Sequence, residues 1–167
     1  MAEWLAAEGG GRRLREEFAK LDLRVNEAKS RVADLTPGEA FGFLGLTFLR
    51  LRSPRGRWGV QQTPVTQQRT ALLRKLKAVF RRWRSQPVGQ VIATINPILR
   101  GWVNYFRVGN AARCFGFVKE WVEKKVRRHM MRARGRRGFG WKRWSTARIY
   151  RGLGVFNDYR VQYQVRV

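Results

Sequence analysis

Asn96-Pro97-Ile98-Leu99-Arg100-Gly101-Trp102-Val103-Asn104-Tyr105-Phe106-Arg107-Val108-Gly109-Asn110 decides how the rest of this chain is read. Ile95, Ile98, Leu99, Trp102, Tyr105 and Phe106 recur three and four residues apart, which is the spacing of one helical face. That predicts a helix over roughly 88–107 with Trp102, Tyr105 and Phe106 in the core. Arg100, Asn104 and Arg107 fall on its other faces, and Gly109-Asn110 supplies a helix C-terminus.

Two further stripes flank it. Leu72, Leu76, Val79, Phe80 and Trp83 predict a helix over 66–84, and Phe115, Val118, Val122, Val126 and Met130 predict one over 113–133. The connections at Ser85-Gln86-Pro87 and Val108-Gly109-Asn110 are short, so the three should close into a small bundle.

Towards the N-terminus, Leu14, Phe18 and Leu21 read as a short amphipathic helix over 12–22, after a flexible start that ends in three glycines. Lys29 to Leu35 reads as a strand, Thr36-Pro37-Gly38-Glu39 as a turn, and Phe41 to Gly45 as a strand pairing back across it. Leu46 to Arg52 alternates only in part. Ser53-Pro54-Arg55-Gly56 signals another turn, with Arg57 to Thr63 as the returning strand. Beyond the bundle, Arg132 to Gly138 is too charged and glycine-rich for a buried element; Gly140 to Ser145 restarts order before a short helix, a turn and an extended tail. The expected fold is therefore α+β and mainly α. It divides into a flexible N-terminus (1–11), a helix with β-hairpins (12–65), a three-helix domain (66–133) and a basic, tryptophan-rich C-terminal extension (134–167).

Charge narrows the partners. The 167 residues hold 36 Lys+Arg against 11 Asp+Glu, a net +25. Residues 1–68 carry 11 basic and 8 acidic residues, a net +3, whereas residues 69–167 carry 25 and 3, a net +22. Self-repulsion on that scale opposes compaction unless a polyanion offsets it, which points to nucleic acid bound by the second part. At 44% hydrophobic and 13% aromatic, with seven tryptophans, the chain can still bury a core. One cysteine (Cys114) and one histidine (His129) exclude a disulfide framework and a Cys/His zinc site within the chain, so no metal or cofactor is expected. No run approaches the roughly 20 apolar residues of a membrane span, and Met1 to Gly11 has no signal-peptide character. A cytoplasmic protein without a membrane role is expected.

Asn96 to Asn110 closely resembles the central signature of the maturase domain of group II intron-encoded reverse transcriptases. Other stretches resemble the same family in the same order. Val25-Asn26-Glu27-Ala28-Lys29-Ser30 is similar to an element near the end of the reverse transcriptase palm, and Phe43-Leu44-Gly45 to the hairpin that follows it. Residues from Arg69 to Met131 look like the thumb, or maturase-specific, region. Phe139 to Trp144 and Leu153 to Val161 resemble the usual C-terminus. The resemblance implies β-hairpins from the end of a palm, with Asn26, Lys29, Phe43, Leu44 and Gly45 as palm remnants, followed by a thumb/maturase bundle. The YxDD aspartate pair that holds two metal ions in family polymerases is not in this sequence, where Asp22, Asp34 and Asp158 stand isolated. It would lie upstream of Met1, so the chain alone is expected to have no catalytic residues and to be no polymerase.

Binding chemistry is what the residues then favour. Arg69, Arg74, Lys75, Lys77, Arg81, Arg82 and Arg84 interleave with the first stripe, and no acid occurs between Arg69 and Glu120. Guanidinium groups bind phosphate in a bidentate way and stack on bases. Lys124, Lys125, Arg127, Arg128, Arg132, Arg134, Arg136 and Arg137 form a second basic run. Trp141, Lys142, Arg143 and Trp144 alternate ring and cation, a pattern suited to unpaired RNA in which one of the two tryptophans is expected to be buried. Within the signature, Arg100, Arg107, Asn110 and Arg113 are the expected RNA contacts. The expected partner is group II intron RNA, stabilised in its splicing-competent fold. The alternatives are the C-terminal half of a split or truncated reverse transcriptase, active only with a separately encoded palm, or a decayed fragment.

Overall fold

The computed structural model describes residues 12, 13, 15–23, 40–54 and 56–162. The chain separates into two compact units, Met1–Thr36 and Pro37–Val167. In the first, residues 15–20 are helical, and Lys20 donates to Glu17 at 2.8 Å on its exposed side. The expected strand over Lys29 to Leu35 and the palm-remnant residues Asn26 and Lys29 lie outside the described residues.

The second unit opens with a three-stranded antiparallel meander: β1 (Ala40–Phe43), β2 (Leu46–Arg52) and β3 (Trp58–Pro64), in that order across the sheet. Phe41 pairs with Phe48, and their rings stack 4.8 Å apart. Phe43-Leu44-Gly45 was expected to extend a strand. Instead Leu44 (φ 49°) and Gly45 (φ 75°) form the tight turn between β1 and β2, with positive φ at both central positions as such hairpins require. Leucine is costly in that region, and an outside partner supports it: the Tyr105 hydroxyl donates to the Leu44 carbonyl at 2.9 Å.

Three helices follow: α1 (Thr66–Arg82), α2 (Val88–Phe106) and α3 (Ala112–Arg132), each packed against the other two. The boundaries fall within two residues of the periodicity. α1 buries Leu72, Leu76 and Phe80, and α3 buries Phe115, Val118, Val122 and Val126, as their stripes predict. In α2 the buried face is Val91, Ile92, Ile95, Leu99, Val103 and Phe106. Tyr105, expected in the core, is instead exposed, and Val103 takes the core position. The reason is the tyrosine's hydroxyl, which stays outside to hold the hairpin turn. Pro97 sits on the exposed side of α2, where loss of one backbone hydrogen bond is open to water.

Residues 134–162 do not hang from the bundle. Ile149 and Val155 are buried in the same core as Leu76, Ile95 and Val122, and Phe156, Tyr159 and Val161 cover Val103, Phe106 and Phe115. Asn96 fastens this returning segment: its Nδ2 donates to the Gly154 carbonyl at 2.8 Å, and its Oδ1 accepts from the Phe156 amide at 2.9 Å. The sheet is fastened at the turn after α2. The Asn110 amide donates to the Gln62 carbonyl at 2.7 Å, and the Gln62 amide donates to Asn110 Oδ1. Gly109 (φ 96°) makes that approach feasible, because a Cβ there would lie 2.8 Å from Gln62 Cβ and 2.9 Å from its carbonyl oxygen.

Candidate nucleic-acid interface

Lys77 and Arg81 each follow a core residue of α1 (Leu76, Phe80) by one position, and Lys125 precedes the core residue Val126 of α3. A one-residue offset turns a side chain about 100° around a helix, so these cations line the seam rather than fill it. Together with Arg84, Arg128 and Arg132 they surround a cleft of about 400 Å³ floored by Phe80 and His129, and no acidic residue lines it. His129 is buried; its Nε2 faces the Gln86 carbonyl at 3.0 Å and, since a carbonyl only accepts, carries the proton that ties the α1–α2 turn to α3. Lys125 lies over the Trp121 ring at 5.1 Å. Its ammonium binds its proton less firmly than an ordinary lysine, first because burial strips it of water and then because Arg128, Lys77 and Arg132 repel it.

The cleft lies at the C-terminal halves of both α1 and α3. The negative ends of two helix dipoles therefore offset part of this repulsion, by roughly 0.3–1 kcal/mol per cation within the last turn. What remains is a concave concentration of positive charge at a wall of partly apolar side chains, which favours phosphate.

A second arrangement is built on Arg127, almost fully buried at 1% exposure. Its Nε donates to the Trp144 carbonyl at 2.8 Å, one terminal nitrogen donates to Glu123 Oε2 at 2.8 Å, and the other donates to Thr146 Oγ1 at 3.2 Å. The Tyr150 hydroxyl donates to the remaining Glu123 oxygen at 2.8 Å. Burial, reinforced by that bond to a carboxylate, pushes the Tyr150 phenol well above its ordinary pKa. The Arg127 guanidinium also lies over the Trp141 ring, 4.3 Å from its centre.

The residues singled out from sequence occupy different settings. Lys77, Arg81, Arg84, Lys125, Arg128 and Arg132 converge on the cleft. Arg74, Lys75 and Arg82 are exposed on other parts of α1, and Arg69 lies over Phe117. Arg100, Arg113, Arg136, Arg137, Lys142 and Arg143 are exposed. Lys124 is ion-paired with Glu120. Arg107 is occupied by Asp158 at 2.9 Å, and Asn110 by Gln62, so both serve the fold in the free chain. Arg107 and Arg160 hold the Asp158 carboxyl below its ordinary pKa. Of the two tryptophans in the ring–cation run, one of which was expected to be buried, Trp141 is half exposed and Trp144 is buried with Arg134 and Arg148 over its ring at 5.2 and 5.4 Å. Its faces are covered by the protein's own cations. The sequence places Arg127 in the second basic run, but it is buried and paired inside the fold, and the Glu123–Arg127 spacing of four was the visible signal of that pin.

Among the described residues no group of three His, Cys, Asp or Glu side chains is placed to hold a metal ion, and no helix is long and apolar enough to cross a membrane. No curated protein matches the chain. Residues 69–150 match the family described as group II intron, maturase-specific domain. That match takes in most of α1, all of α2 and α3, the cation cleft and the Arg127 pin. The helical region of this chain, residues 69–150, belongs to the group II intron maturase-specific domain family.

Proposed function

We propose that the chain binds structured group II intron RNA through the α1/α3 cleft and stabilises the RNA's splicing-competent fold. The observation that carries this reading is the convergence of six cations, five from α1 and α3 and Arg84 from the turn after α1, on one acid-free cleft within the family-matched region. The chemistry is recognition: binding energy directed at one RNA conformation shifts the RNA's folding equilibrium, and the intron supplies the splicing reaction. Phosphate contacts set affinity and orientation, and selectivity comes from how the cations and exposed rings are spaced in three dimensions. The test is self-splicing of a group II intron transcript at limiting magnesium, with the chain and with an Arg81→Ala/Arg128→Ala/Arg132→Ala variant. The chain should raise the spliced fraction and the variant should not; equal stimulation by both would remove the cleft from the mechanism.

A second reading, as part of a reverse transcriptase whose palm comes from a separate polypeptide, is favoured by one feature of the sheet. Strand alternation and register put Phe41, Phe43, Leu46, Phe48, Trp58 and Val60 on one face, and Phe43, Trp58 and Val60 are exposed there. cDNA synthesis that needs both the chain and a palm-bearing polypeptide would support this reading over RNA binding alone.

A further inference from the structure

We infer that Trp141 is a platform for a single unpaired RNA base, held ready by the buried Arg127 beneath it. The inference rests on the RNA-binding reading above and names the part of the RNA that this site takes.

The argument begins with what fixes the ring. Arg127 lies over one face of Trp141 at 4.3 Å and cannot swing away, because Trp144, Glu123 and Thr146 each take one of its nitrogens. Gly140, directly before the tryptophan, is set by φ 60° and by crowding: a Cβ there would lie 2.5 Å from Met131 Sδ and 3.1 Å from Trp144 Cδ1. Phe139 flanks the indole with ring centres 5.8 Å apart. The indole is therefore positioned before any ligand arrives, which lowers the ordering cost of binding.

Despite this support, 52% of Trp141 stays open to solvent. It borders a hollow of about 700 Å³ lined also by Met131, Arg134, Arg136, Lys142 and Arg143. An aromatic face beside several cations and no carboxylate matches the two halves of a nucleotide: the base stacks and the flanking phosphates meet the cations. A base inside a duplex offers no free face, so the site selects unpaired nucleotides. Trp144 is the internal comparison. It is 6% exposed with Arg134 and Arg148 over its ring, and takes no base.

The test uses the full chain and three probes of equal length: a single-stranded oligoribonucleotide, the same backbone with abasic riboses, and an RNA duplex. The chain should bind the base-bearing strand roughly 5- to 150-fold more tightly than the abasic one, the range that stacking of one base supplies. Trp141→Ala should erase that preference while leaving abasic and duplex affinities and the salt dependence unchanged. Trp141→Phe should restore part of it, which separates stacking from loss of fold. Equal affinity of the unmodified chain for base-bearing and abasic strands, with strong salt dependence, overturns the platform and leaves RNA binding intact. Equal weakening of all three probes by Trp141→Ala also overturns it, since the residue would then be structural. Failure to bind any probe overturns both readings.

Discussion

Replacing Arg127 by methionine tests whether the pin beneath Trp141 is a structural necessity or a surface ornament. An exposed Glu–Arg pair four residues apart on a helix contributes about 0.3–0.5 kcal/mol. Here the Arg127 side chain is 2% exposed and the Glu123 side chain 13%, so removing the guanidinium leaves a largely buried carboxylate without its counter-charge. Losses of that kind are about 3–5 kcal/mol. The Trp144 carbonyl and the Thr146 hydroxyl lose a donor in the same step, and Trp141 loses its cation, so Arg127→Met should fall at the upper end. Against a total stability of about 5–15 kcal/mol, that is a large fraction. Urea unfolding followed by circular dichroism should show the midpoint collapse. Adding Glu123→Gln removes the orphaned charge yet keeps an acceptor for Tyr150, so the double variant should regain at least about 1 kcal/mol over the single one. A single-variant loss below about 1 kcal/mol, or a double variant no better than the single, would refute the pin.

Further expectations follow from the same geometry. Tyr150 and Tyr159 have folded-state pKa values raised by burial, with the Glu123 bond adding to Tyr150. Their contribution to stability is therefore complete below the unfolded phenol pKa near 10 and is lost as pH rises beyond it. Tyrosinate absorbance should show both phenols ionising only as the protein unfolds; early ionisation of all the tyrosines would contradict their burial. Gly109→Ala should destabilise the protein by more than about 1 kcal/mol, because its Cβ meets the Gln62 backbone as well as an unfavourable φ. Thermal unfolding reads this directly, and an unchanged midpoint would mean that β3 does not approach the turn so closely.

How much of this was legible in the chain depends on which force decides each feature. Leu72, Leu76, Val118 and Val122 announce their helices because burial is periodic and local, and the helix boundaries follow within two residues. Tyr105 misled because its fate depends on one hydroxyl finding the Leu44 carbonyl 61 residues away, which no window on the sequence contains. Trp141 and Trp144 look equivalent in sequence, where burial of one of them is expected, and only the return of the chain over the bundle decides that Trp144 is covered and Trp141 exposed. The basic residues were visible as a composition, but the cleft was not. It needs the knowledge that α1 and α3 bring their C-terminal halves to the same seam, which turns Lys77, Arg81 and Arg84 towards Lys125, Arg128 and Arg132. Arg107 and Asn110 show the converse. They were read as free to meet RNA, and tertiary contacts with Asp158 and Gln62 already engage them.

The claim at the centre of this account is that the α1/α3 cleft gives selective affinity for a group II intron. Competition between a folded group II intron transcript and an unrelated structured RNA of equal length, titrated across roughly 50–200 mM salt, tests it most directly. Phosphate contacts alone carry no sequence or shape information, so a merely basic protein would bind both alike. The account predicts preference for the intron, and a log–log salt slope that becomes shallower by about 2–3 when Arg81, Arg128 and Arg132 are replaced by alanine. Equal competition by the two RNAs, with a slope that the triple variant leaves unchanged, would contradict it.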